Sequence, residues 1–143
     1  MLVTAQGPAL AEDAWQRYAV PALWPTWAPQ IRAVRLAPAS PGRLDDVLVA
    51  GVRGSVLGPP PLRVPFRVVA VDPAAHRWAW RVGLGPLAVT MEHGVNAGPG
   101  GAGSTAWVRI RLPGPVAAPY APVARLALRR LVAAGDGESA ARG

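Results

Sequence analysis

Leu87-Ala88-Val89-Thr90-Met91-Glu92-His93-Gly94-Val95 is the stretch on which the class of fold turns. Its odd positions read Leu, Val, Met, His and Val, and its even positions Ala, Thr, Glu and Gly. Successive side chains of a strand point to opposite faces, so this alternation describes a strand with one apolar and one polar face. The neighbouring Arg77-Trp78-Ala79-Trp80-Arg81-Val82 follows the same rule. Trp78, Trp80 and Val82 share one face there, and Arg77, Ala79 and Arg81 the other. Two such strands flanking Gly85-Pro86 call for an antiparallel sheet covered on one side.

Working outward, period-two text runs from Ile31 to Leu112, with strands expected near Ile31–Leu36, Val49–Leu57, Leu62–Val71, Arg77–Leu84, Leu87–Val95 and Thr105–Leu112. Turn chemistry separates them: Pro38-Ala39-Ser40-Pro41-Gly42, Gly58-Pro59-Pro60-Pro61, Asp72-Pro73, Gly85-Pro86 and Gly98-Pro99-Gly100-Gly101. Consecutive strands on short connections predict a meander, and Leu2–Ala5 offers one more strand, giving six to seven. Helical spacing appears at Ala9–Ala19, where Leu10, Ala14, Trp15 and Tyr18 recur and Glu12 and Asp13 suit the positive end of the helix dipole. Pro21 ends that helix, and a second short one, Leu23–Ala28, stops at Pro29. After Pro113-Gly114-Pro115 a long helix is expected over Val116–Ala134, with Tyr120, Val123, Ala124, Ala127 and Leu131 on one face and Arg125 and Arg129 on another. Its apolar stripe needs a surface to cover, and the curved sheet is the one large surface available. The expected architecture is α+β: a curved antiparallel sheet wrapped around a long C-terminal helix, with two short helices near the N-terminus. Residues 1–134 form a single domain in this reading, and the Gly-, Ser- and charge-rich stretch 135–143 a flexible tail.

Composition bounds the chemistry. A chain of 143 residues with 51% hydrophobic and 16% charged residues builds a core without staples. The absence of cysteine excludes disulfides, thiolate zinc sites and cysteine nucleophiles. Two histidines, His76 and His93, with eight scattered carboxylates leave little for a metal cage, so neither metal nor cofactor is expected. The net charge of +7 and pI near 11.6 first point to nucleic acid. All fifteen cations are arginines that arrive singly, apart from Arg129-Arg130, and no basic stripe is interleaved with stacking aromatics. That argues against a nucleic-acid partner. No stretch has the ~20 apolar residues of a membrane span, and Met1–Gln6 lacks the marks of a signal peptide, so a cytoplasmic protein is expected. A homodimer is compatible with all of this.

His93 is the sharpest candidate for chemistry. Its strand phase aims it at the interior, where an imidazole takes or returns a proton; the alternative is a neutral histidine bonded to one backbone carbonyl. Glu92 has the opposite phase and forms no dyad with it, and His76 falls in a surface loop. Tyr120 either donates its hydroxyl to a ligand carbonyl or anchors the helix. Six tryptophans are many for this length. Trp15 reads as core. Trp24 and Trp27, three apart, read as a pocket mouth or an exposed partner-binding end, and Trp78 and Trp80 as pocket lining. Arg67, Arg81, Arg109 and Arg111 read as the solvent face, with Glu92 among their partners; a slip in strand phase would instead bury one of them as an anion anchor. There is no GxSxG elbow and no phosphate cradle, which argues against hydrolases and nucleotide binding.

The order of elements resembles the helix-grip fold of the START, birch-pollen-allergen-like and polyketide-cyclase superfamily, SRPBCC. Ala14-Trp15 with Trp24-Pro25-Thr26-Trp27-Ala28-Pro29, Arg77-Trp78-Ala79-Trp80-Arg81, His93-Gly94-Val95 with Ser104-Thr105, and Tyr120-Ala121-Pro122 carry the likeness, which spans roughly residues 1–133. The resemblance implies an apolar cavity between sheet and helix that holds a hydrophobic small molecule, lipid- or polyketide-like. Trp24, Trp27, Phe66, Trp78, Trp80, Val89, Met91, Val123 and Ala127 are the expected lining. It equally allows a cofactor-independent cyclase or dehydratase with His93 as acid/base and Tyr120 as hydrogen-bond donor.

Overall fold

The structure, a computed structural model, describes residues 1–134; the expected tail at 135–143 lies outside the described residues. Seven antiparallel strands form one sheet in the order β1-β7-β6-β5-β4-β3-β2. They are β1 (Leu2–Gly7), β2 (Ala33–Leu36), β3 (Arg53–Leu57), β4 (Arg63–Asp72), β5 (Arg77–Val82), β6 (Val89–Ala97) and β7 (Ser104–Ile110). Strands β2 to β7 are a meander, and β1 closes the other edge by pairing Leu2 with Arg109 through Gly7 with Ser104. The ladder of β4 and β5 shifts register between Val68 and Ala70. Such an irregularity sharpens the local twist and bends the strand.

Two strand expectations need correction. β3 begins at Arg53 rather than Val49; Leu48 and Val52 are buried ahead of it, and the Leu48 amide donates to the Ala19 carbonyl instead of a neighbouring strand. β6 begins at Val89, because Gly85–Leu87 forms a 3₁₀ turn that leaves Leu87 in solvent rather than on the inner face.

The helices lie across the inner face. α1 (Ala11–Ala19) buries Ala14, Trp15, Tyr18 and Ala19, and a 3₁₀ turn at Pro21–Leu23 leads into α2 (Trp24–Trp27). The C-terminal helix starts as α3 (Gly114–Ala117), tightens to 3₁₀ at Ala118–Tyr120 and continues as α4 (Ala121–Leu131). It buries Ala117, Ala124, Ala127, Leu128 and Leu131. Val123, placed on the inner face by sequence spacing, is 36% exposed. It stands about 100° around the helix from Ala124, at the edge of the stripe that Ala124, Ala127, Leu128 and Leu131 bury. The helix ends at Leu131, three residues before the expected Ala134, and its terminal carbonyls are taken from outside. The Arg17 guanidinium donates to the Leu131 and Ala133 carbonyls at 2.7 and 2.8 Å, and the Ala9 amide to that of Val132 at 3.0 Å. Among the described residues no helix is long and apolar enough to cross a membrane.

Candidate functional site

Sheet pairing decides which aromatic groups meet. On the inner face Trp78 stands opposite His93, and Trp80 opposite Met91. The Trp78 and His93 rings stack 3.9 Å apart, 10° from parallel. Trp24 from α2 also stacks on Trp78, at 5.5 Å. Tyr18 from α1 sets its edge against Trp27, Trp78 and His93, at 5.3, 5.8 and 5.4 Å. Phe66 packs against Trp24 and Trp80. Edge-to-face and offset contacts of this kind add to simple burial and hold each ring in place.

The indole N–H groups divide the tryptophans in two. Trp24 donates to the Tyr18 carbonyl at 2.9 Å and Trp27 to the Arg17 carbonyl at 2.8 Å, so both serve the last turn of α1, whose carbonyls have no partner within the helix. Both are buried, which corrects the idea of an exposed aromatic end. Among the described residues Trp78 Nε1 and Trp80 Nε1 have no hydrogen-bond partner, nor do His93 Nδ1 and Gln30 Oε1. A buried polar atom without a partner costs about 1–3 kcal/mol, and the four residues that carry these atoms all line one cleft. Burial pulls the His93 pKa from 6.5 down to about 3, with a backbone contact from Trp78 working weakly the other way. The imidazole is therefore neutral. Burial also raises Tyr18, with Tyr120 reinforcing the rise; its hydroxyl donates to the Trp107 carbonyl at 2.9 Å.

A cleft of about 40 Å³ remains between these groups and the C-terminal helix. Trp24, Trp27, Trp78, Trp80, Met91, His93, Tyr120 and Ala127 from the sequence reading line it. Phe66 backs the lining without reaching the space, half-buried Val89 stands at the start of its strand, and Val123 is outside. Tyr120 sits at the rim, 37% exposed, and its hydroxyl accepts from Gln30 Nε2 at 3.1 Å across the mouth. Desolvation raises the Tyr120 pKa, and the bond from Gln30 opposes that rise.

Tyr18, Gln30, Ile31, Val108, Ala124 and Leu128 complete the lining. Helical spacing had marked Tyr18 as apolar-facing and Ala124 as part of the stripe, and strand alternation marks Val108; nothing local marks Gln30. A larger groove of about 670 Å³ lies on the opposite, polar face around Arg77, Trp107 and Arg109. There Arg111 pairs with Glu92 at 2.7 Å. His76, read as a surface loop residue, is partly buried; its ring stacks on Trp15, and its Nε2 lies 3.3 Å from a Glu12 carboxylate oxygen. Among the described residues no group of His, Asp and Glu is placed to hold a metal.

Residues 3–139 match the family model described as polyketide cyclase / dehydrase and lipid transport. The chain belongs to this family. Like other members of the polyketide cyclase / dehydrase and lipid transport family, it carries the SRPBCC helix-grip fold, and solved structures share it at low identity. XoxI from Bacillus cereus superposes with a TM-score of 0.71 at 13% identity, over 92% of each chain. Ara h 8.0201 does so with a TM-score of 0.64 at 15% identity, also over 92% of each. DynU16, a protein in the dynemicin biosynthetic locus, gives 0.67 at 19% identity; the match covers 92% of this chain and 45% of that one. At these identities the likeness is one of fold alone. Among curated proteins none matches in sequence at a significant level.

Proposed function

We propose that this protein binds a hydrophobic small molecule between the sheet and the C-terminal helix, and that the ligand is flat and carries an acceptor oxygen. The observation that carries the reading is that Trp78, Trp80 and His93, whose Nε1, Nε1 and Nδ1 atoms find no partner among the described residues, all line an aromatic cleft. An oxygen reaching the two indole N–H groups relieves their desolvation, and the stacked rings take the flat apolar body. Ligand pockets run to about 300–1,000 Å³, so a lipid- or polyketide-sized molecule enters only if the helix and the Gln30 segment part. The Gln30–Tyr120 bond is the polar tie across that mouth. A neutral imidazole with a pKa near 3 is a weak base and holds no second proton near neutrality. His93 in this reading is a hydrogen-bond partner, which favours binding over cyclase or dehydratase chemistry.

Titration with naphthalene and with its methyl ketone, acetonaphthone, followed by tryptophan fluorescence, tests the reading. Saturable responses to both are expected, with the ketone about ten-fold tighter and that advantage reduced in Trp80→Phe. No saturable response to either compound, or equal affinity for the two, overturns it.

A further inference from the structure

The antiparallel register brings the β3–β4 connection, the β5–β6 connection and the lead into α3 to one end of the sheet, since Leu57 pairs with Arg63, Val82 with Val89, and Met91 with Ile110. The four most exposed large apolar side chains among the described residues all sit in these three segments: Leu87 at 80%, Leu84 at 69%, Val116 at 62% and Leu62 at 59%. Residues 58–62, 83–88 and 112–118 contain no charged residue. Each is instead bounded by an arginine at its sheet side: Arg63, Arg81 and Arg111. Arg111 shares its charge with Glu92 at 2.7 Å, in an exposed pair that headgroups can exchange, and among the described residues no carboxylate pairs with Arg63 or Arg81. Scattered singly such groups would be ordinary, but four of them gathered at one end of the sheet mark an interaction surface. Three uncharged apolar tips with cations set just behind them match a medium that is apolar within and anionic at its surface.

We infer that this end of the sheet docks on an anionic phospholipid surface, with Leu62, Leu84, Leu87 and Val116 entering the acyl boundary and Arg63, Arg81 and Arg111 meeting headgroups. The cleft mouth faces the same end, because Gln30 precedes β2, whose first residue Ala33 pairs with Leu57. The inference stands without any assumption about what the cleft holds.

Co-sedimentation of the full chain with phosphatidylcholine vesicles, with and without about 30% phosphatidylglycerol, tests it. Binding to the anionic vesicles alone is expected, weakened in about 0.5 M salt. The double variant L84D/L87D should lose at least about ten-fold in affinity with its circular dichroism and melting unchanged. L62D/V116D provides the same readout on the other tips. R129Q/R130Q, which removes charge from the far end of the C-terminal helix, should bind nearly as the parent does. No binding to either vesicle overturns the inference. So does binding that survives both Asp pairs, or that falls as far in R129Q/R130Q, since general charge attraction then accounts for it. A dimer in sedimentation velocity that L84D/L87D abolishes, without vesicle binding, reassigns the end to self-association and also overturns it.

Discussion

His93 couples stability to pH, and the sign follows from its burial. In the unfolded chain its imidazole titrates near 6.5; in the fold, burial keeps it neutral until about pH 3. Below about pH 6.5 the unfolded state therefore binds a proton that the native state refuses, and stability falls as pH falls. Each unit of pH in that window is worth about 1.4 kcal/mol, so the loss between about pH 7.5 and pH 5 comes to about 2 kcal/mol. The group is 5% exposed, so solvent does little to screen the effect. Replacing His93 with Phe removes the titration and the unpartnered Nδ1, and it keeps a ring against Trp78. The extra volume has the adjoining 40 Å³ to enter. Urea unfolding by circular dichroism at both pH values isolates the effect as a difference of differences. The parent should lose about 2 kcal/mol more than the variant, or about 6 °C in melting temperature. Equal losses would refute the reasoning, because His93 would then titrate in the fold much as it does in the open chain.

Gly94→Ala should cost about 1–3 kcal/mol in the same unfolding assay, since a Cβ there runs into the Trp107 indole that lies over it. Arg17→Met should reduce hydrogen-exchange protection in the last turn of α4 and cost about 1 kcal/mol, because two carbonyls lose their donor. Tyr120→Phe breaks the Gln30 tie across the mouth. Stopped-flow fluorescence should then record faster acetonaphthone entry, by about five-fold, with the melting temperature little changed.

The pattern of the chain carried the class of fold because hydrophobic period is a local property. Alternation in Arg77–Val82 and Leu87–Val95, and helical spacing after Pro115, prescribe a sheet with one apolar face and a helix to cover it. The same alternation put Trp78, Trp80 and His93 on one side, and their strands deliver them there. Local pattern failed where phase is reset by geometry that has no sequence period. The 3₁₀ turn at Gly85–Leu87 turned Leu87 outward, and Val123 fell at the edge of the stripe that α4 buries. Which indole N–H finds a partner was also out of reach. Trp24 and Trp27 look as free as Trp78 and Trp80 until α1 brings its terminal carbonyls within 3 Å. Gln30 meets Tyr120 ninety residues away, a contact that no window of sequence contains. Above all, an apolar stripe facing an apolar sheet says nothing about the space left between them. That depends on the summed packing of Tyr18, Trp24, Phe66, Trp78 and Trp80, which closes most of the grip and leaves a small cleft bordered by unpaired polar atoms.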